Sequence, residues 1–201
     1  MTASKRIFDL VVAVILSLLL LPVIVIVALC ILIKDGRPVL YISERMKSPT
    51  VGFGLVKFRS MKPASGDSGV SGGNKSDRIT RTGHFLRRTR LDELPQLWNV
   101  LRGDISFVGP RPPLRQYVEQ FPELYARVLR SRPGITGLAS SRFHAHEEML
   151  LAASQSAEET EAIYTRACVP RKARLDLIYQ DNRNLCFDMR IMLGTVFRKL
   201  R

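Results

Sequence analysis

Leu10–Ile33 reads LVVAVILSLLLLPVIVIVALCILI, 24 residues without a charge, and no other stretch of the chain is so apolar for so long. As a helix rising ~1.5 Å per residue it would reach about 36 Å, enough for the ~30 Å hydrocarbon core of a bilayer. It is longer than the apolar region of roughly 7–15 residues in a cleavable signal, and no small-x-small site follows it, so the segment is expected to stay in the mature protein. Pro22 stands at its centre. Proline has no N–H and its ring meets the carbonyl four residues back, here that of Leu18, which kinks or breaks the helix into two arms of ~18 Å. A straight span with a tolerated proline and a re-entrant helix–break–helix both fit. Lys5 and Arg6 on one flank and Lys34, Arg37, Arg45 and Lys47 on the other give no inside–outside asymmetry. That tilts the reading toward a hairpin over residues 1–36 with both ends on one side of the membrane.

Outward from this segment, the 201-residue chain has room for one further compact unit, residues 37–201. Its 31 Lys and Arg against 18 Asp and Glu leave a net charge of +13, so its partner should be anionic: nucleic acid, an anionic membrane surface or a phosphorylated substrate. Nucleic acid is set aside, because no recognition motif is present and aromatics are not interleaved with the basic runs. With 46% hydrophobic and 24% charged residues, disorder of the whole chain is excluded. Cys30, Cys168 and Cys186 are odd in number and widely spaced, which points to a reducing compartment. His84, His144 and His146 share no ligand spacing with them, so zinc is not expected and His144 and His146 read as surface residues.

The remaining pattern is α+β. Arg37–Ser43 and Phe53–Met61 are β-rich and predict a small hairpin near the membrane. Pro63–Asn74 is Gly, Ser, Asp and Pro, a loop; the GVSGGNKS within 69–76 lacks the glycine before Lys75 and the preceding buried strand of a phosphate-binding loop. Residues 80–101 predict two helical pieces, the second starting at about Asp92 or Glu93 so that Pro95 falls where first-turn N–H groups have no partner. A helix over 115–130, turns at 110–113 and 132–137, and a polar helix over 147–168 follow. Leu185–Arg201 places Met189, Met192, Leu193, Val196 and Leu200 on one face, for the core or a membrane surface alike.

The chemistry concentrates at Asp92-Glu93, preceded by Arg78, Arg81, Arg87, Arg88 and Arg90 and followed by Arg102 and Arg111. Two uses fit. The acids cap a helix and pair with arginines on a solvated face; or the guanidiniums grip phosphate while an acid stays ionised to attack phosphorus or hold a metal. Arg111, between Pro110 and Pro112, has the preorganised backbone that phosphate binding favours.

These residues, taken in order, carry a resemblance. Lys5-Arg6-Ile7-Phe8-Asp9, the apolar segment with its central proline, Lys57-Phe58-Arg59-Ser60-Met61, Leu91-Asp92-Glu93-Leu94-Pro95 running on to Gly103-Asp104, Ser106 to Pro112, and Arg132-Pro133-Gly134-Ile135-Thr136-Gly137 closely resemble the bacterial sugar transferases, the monotopic phosphoglycosyl transferases. The resemblance runs from Lys5 to about Val196. It implies a catalytic domain anchored by a re-entrant hairpin on the cytoplasmic face of the bacterial inner membrane, both termini cytoplasmic. It also implies transfer of a sugar 1-phosphate from a UDP-sugar to a polyprenol phosphate such as undecaprenyl phosphate, with Mg2+, release of UMP and a ping-pong course. Asp92 would be the nucleophile, Glu93 would assist the metal and the acceptor, and both would serve as metal ligands. Lys57, Arg59 and Arg111 fall on the family's basic positions as phosphate contacts, with Arg88 beside them. Membrane lipid is a further partner, and a homodimer stays open. The chain departs from the pattern at three places: Leu21 precedes Pro22 where a serine is common; Arg90 replaces a small hydroxyl residue; and Ser140-Ser141-Arg142-Phe143-His144 replaces Gln-Val-Asn-Gly-Arg. Arg142 would supply the missing arginine from a shifted position. The rival reading is a non-catalytic membrane-bound module whose basic patch takes anionic lipid or a partner.

Overall fold

The structure is a computed structural model that describes residues 2–62 and 77–199. The glycine-rich loop lies outside the described residues. A single helix, α1 (Ala3–Lys34), opens the chain and runs unbroken through Pro22. The helix–break–helix expectation is corrected on this point: a proline removes one intrahelical hydrogen bond, and the long apolar runs on either side keep the ladder going around it.

Strands β1 (Leu40–Met46) and β2 (Gly52–Phe58) form the expected antiparallel hairpin, with Leu40 opposite Phe58 and Met46 opposite Gly52. α2 (Arg81–Thr89), a 3-10 turn (Leu91–Glu93) and α3 (Gln96–Arg102) follow. The second helix therefore begins after Pro95, and the acids occupy the turn before it. β3 (Ser106–Val108) pairs in parallel with β4 (Gly134–Thr136), a pairing that the turn-rich reading of 132–137 missed. Parallel strands need a long crossover, and α4 (Arg115–Gln120) and α5 (Pro122–Val128) supply it, one expected helix divided at Phe121-Pro122. α6 (Leu138–Ala152) starts earlier than the polar pattern indicated. After it come α7 (Ala157–Ile163), a π turn (Tyr164–Cys168), α8 (Val169–Asn182) and α9 (Leu185–Lys199).

Ala13, Leu97, Val100, Ile105, Phe107, Tyr179 and Ile191 build one core under α1, and Tyr117, Tyr125, Phe143, Tyr164 and Val169 build a second among the later helices. A third small cluster joins Val27 and Ile31 of α1 to Phe58 and Leu86. Asp9, Ala13, Val27 and Ile31 are the buried residues of α1, and steps of 4, 14 and 4 keep them on one helical face. The opposite face is open and apolar, with Leu18 and Leu19 each 69% exposed. Its N-terminal end is pinned by polar contacts: Lys5 pairs with buried Asp188, and Arg6 donates to the carbonyls of Val100 (2.7 Å) and Leu101 (2.8 Å) at the end of α3. α9 packs through Phe187, Ile191 and Met192, whereas Met189 and Leu193 of the expected apolar stripe are exposed.

Asn99 ties α3 to the hairpin. Its amide donates to Gly54 O (2.8 Å) and accepts from Val56 N (3.0 Å), extending β2 by a side chain that is 1% exposed. This contact sets how far the turn before α3 stands from Lys57. Asn99→Ala strands a buried donor and acceptor, which predicts a loss of about 2–4 kcal/mol, measured as a fall in the thermal midpoint of the nanodisc-held protein.

Candidate active site

α2 ends on Arg90 at φ 62°, ψ 17°, the left-handed region that costs an ordinary residue about 1 kcal/mol. The chain turns sharply there, and the 3-10 turn that follows places Asp92 and Glu93 at the floor of a cleft of about 810 Å³. Lys57 reaches it from β2, Arg111 from the Pro110-Arg111-Pro112 loop, and Arg45, Arg87, Arg88 and Arg90 complete a cationic wall.

One oxygen organises this charge. Glu93 Oε1 lies 3.2 Å from Arg111 Nη2, 3.4 Å from Lys57 Nζ and 3.6 Å from Arg90 Nη1. Burial alone would raise the Glu93 carboxyl, but Arg111, Lys57 and Arg90 together hold it down at about 2. Burial, with Arg111 next in weight, lowers the Lys57 ammonium to about 8. Asp92 behaves oppositely: it is 8% exposed, Oδ1 has no hydrogen-bond partner among the described residues, and burial followed by the Glu93 charge raises its carboxyl. Adjacent carboxylates are thus separated into a permanent counterion and a carboxyl with a free oxygen. Such a pair fits Mg2+, which takes one or two carboxylates and fills its shell with phosphate and water. Among the described residues no group of three or more His, Cys, Asp or Glu is placed to hold a metal ion by itself.

Of the residues singled out from sequence, Asp92, Glu93, Lys57, Arg88 and Arg111 meet in the cleft. Arg59 does not line it. Its guanidinium is spent on the carbonyls of Arg37 (2.9 Å), Asp35 (2.6 Å) and Gly36 (2.8 Å), where it clamps the exit of α1. Arg142 is exposed on α6 and also stands outside the cleft. His144, read from sequence as a surface residue, lines the cleft beside Arg90. The inner end was missed: Tyr117, Tyr125 and Tyr164 surround Glu147, which pairs with Lys172 at 2.8 Å, and Asp176, whose Oδ1 has no partner among the described residues. Glu147 lies on α6 and Lys172 and Asp176 on α8, so no local spacing brings them together.

A family model described as bacterial sugar transferase matches residues 1–201. The chain is 35% identical over 198 residues to the UDP-glucose:undecaprenyl-phosphate glucose-1-phosphate transferase of Escherichia coli K12, covering 96% of this chain and 39% of that protein. It is 38% identical over 141 residues to the UDP-N-acetylgalactosamine-undecaprenyl-phosphate N-acetylgalactosaminephosphotransferase of Aeromonas hydrophila, covering 67% and 33%. It is 38% identical over 209 residues to the exopolysaccharide production protein PSS of Rhizobium leguminosarum, covering 98% and 94%. The chain therefore spans about two fifths or less of the first two relatives and nearly all of the third.

Burial raises the Asp176 carboxyl to about 7. Its unfolded counterpart ionises near 4, so the wild type loses stability as pH rises from about 4 through 7, and an amide removes that cost. Asp176→Asn should raise the thermal midpoint by several degrees at pH 8 and leave it unchanged at pH 4.

Proposed function

The chain belongs to the bacterial sugar transferase family, and on that premise we propose that it moves a sugar 1-phosphate from a UDP-sugar to undecaprenyl phosphate. The observation that carries this reading is the pairing of a cation-saturated Glu93 with an Asp92 whose oxygen is free, inside a cleft walled by arginines. A solvated role for the two acids does not fit a buried Asp92 and a Glu93 side chain only 11% exposed.

In the first half-reaction Asp92 attacks the sugar-proximal phosphorus of the donor. The bond from that phosphorus to the bridging oxygen breaks, UMP departs with the electron pair, and sugar 1-phosphate is left on the carboxylate as an acyl phosphate. In the second, a phosphate oxygen of the polyprenol attacks the same phosphorus, the bond to Asp92 breaks, and the carboxylate is restored as the polyprenyl diphosphate sugar leaves. Arg111 and Lys57, already aligned on Glu93, face the phosphates and lower the repulsion between two polyanions. Asp92 and Glu93 would hold Mg2+, which when bound spreads charge on the diphosphate and the leaving phosphate.

The same reading places α1 in one leaflet. Support comes from its two ends, since Ala13 and Ile31 sit in clusters on one globular body while the outer apolar face stays exposed. A helix crossing the bilayer cannot touch a single extramembrane domain at both ends. Nucleotide-sugars are cytosolic metabolites, so the body and both termini lie on the cytoplasmic face. This position turns delivery of a lipid acceptor into a search in two dimensions.

Two measurements test these readings. Nanodisc-held protein with Mg2+ and undecaprenyl phosphate should release UMP from at least one of a panel of UDP-sugars, and Asp92→Asn should lower the rate at least about 10³-fold; no release from any donor favours the non-catalytic rival. Ser4→Cys should react with an impermeant maleimide only when the cytoplasmic side is opened, and labelling from the opposite side overturns the one-leaflet placement.

A further inference from the structure

Arg90 and His144 are two places where the chain departs from the family pattern, and they touch. Arg90 Nη2 meets His144 Nε2 across 54 residues of sequence. Both line the cleft. Three observations bear on why. First, Arg90 is the one non-glycine residue at positive φ among the described residues, and backbone strain of this kind collects where function holds it. Second, Glu93 already has Arg111 and Lys57 nearer to it, so a third cation at 3.6 Å is surplus to the needs of one carboxylate. Third, a guanidinium carries five N–H donors, and the contacts to Glu93 and His144 leave part of that fork facing a cleft about to receive a diphosphate.

His144 is suited to hold this group. A guanidinium can only donate, so Nε2 must accept, which requires a neutral ring protonated on Nδ1. Burial, then the neighbouring Arg90 charge, lower the imidazole below its usual value and keep it neutral. Arg111 faces it from the cleft with the same sense, whereas Glu147 and Glu148 on its own helix act in the other. Glu148 Oε1 lies 3.2 Å from the same nitrogen, so a protonated ring would donate there and repel Arg90.

We propose that Arg90 is an additional binding residue for the nucleoside diphosphate of the donor, and that His144 is the positioning residue that holds it over the cleft. The inference rests on the transferase reading above and adds to it a contact in which the arginine at position 90, rather than Arg142, supplies the extra guanidinium. The strained backbone of Arg90 is what turns its side chain into the cleft at the end of α2.

UDP serves as the probe, because it is common to every candidate donor. Binding is measured by calorimetry on the full chain in nanodiscs with Mg2+, alongside UMP release from the donor that wild type turns over. Arg90→Gly should weaken UDP and raise KM at least about tenfold with a smaller change in kcat, while raising the thermal midpoint by about 1–4 °C through relief of the left-handed residue. Arg90→Ala should bind as poorly without the gain in stability. His144→Ala should weaken UDP about three- to tenfold and add little in the Arg90→Ala background, as contacting residues do. His144→Gln, whose amide oxygen can accept from Arg90, should restore most of that loss. Wild-type UDP affinity in Arg90→Gly overturns the proposal, and additive losses in the double variant overturn the role of His144. Wild type that neither binds UDP nor releases UMP brings down the transferase reading and this contact with it.

Discussion

A single carboxylate oxygen holds the cleft together. Two unit charges 4 Å apart at a protein surface interact by about 4 kcal/mol at an effective dielectric near 20, so cations gathered around a shared cavity repel one another unless an anion lies among them. Glu93 is that anion. β2 brings Lys57 to it, the Pro-Arg-Pro loop brings Arg111, and the turn after α2 brings Arg90. One negative charge does not satisfy three cations, and Lys57, lowered first by burial and then by Arg111, falls to about 8. On the proposed reading a diphosphate entering the cleft relieves the same repulsion, so the cationic wall is already arranged for an anion. Asp92, one residue away, keeps an Oδ1 with no hydrogen-bond partner among the described residues.

The second constraint acts at the other scale. α1 is too apolar to be left in water and too firmly attached at both ends to leave the body. Lys5 on Asp188, Arg6 on the end of α3 and Asp9 beneath Phe107 secure its start, while Val27 and Ile31 secure its finish against Phe58 and Leu86. Those polar pins take partners from α3, β3 and α9, which ties the helix into the rest of the body. The distance between the cleft and the exposed apolar face of α1 is thereby set by packing and not by a flexible linker.

Much of this was legible in the residues. The apolar run, the β-hairpin, the division of 80–101 into two helical pieces and the gathering of basic residues near Asp92-Glu93 all follow from local pattern, because periodicity, proline chemistry and turn residues act within a few positions. The parallel pairing of β3 with β4 was not, since strands of three residues carry too little alternation to register and their pairing depends on a crossover of 25 residues. The continuity of α1 through Pro22 ran against the local rule. There one hydrogen bond is lost at Pro22, and the cooperativity of the flanking turns carries the helix through it.

The arginines draw the clearest line. By itself the sequence determined that the chain carries an apolar run at Leu10–Ile33 long enough to cross a membrane, is strongly cationic beyond it, and has an acidic pair inside a basic neighbourhood. Only the tertiary structure decided which of those cations share a cavity: Arg59, one residue pair along from Lys57, turns away to clamp backbone carbonyls, Arg142 points outward, and His144, distant in the chain, comes in beside Arg90. The reason is physical. Arg59 lies just past the end of β2, where the carbonyls at the exit of α1 capture it; a long side chain reaches several ångströms from its backbone, and where it ends depends on elements that spacing along the chain does not encode.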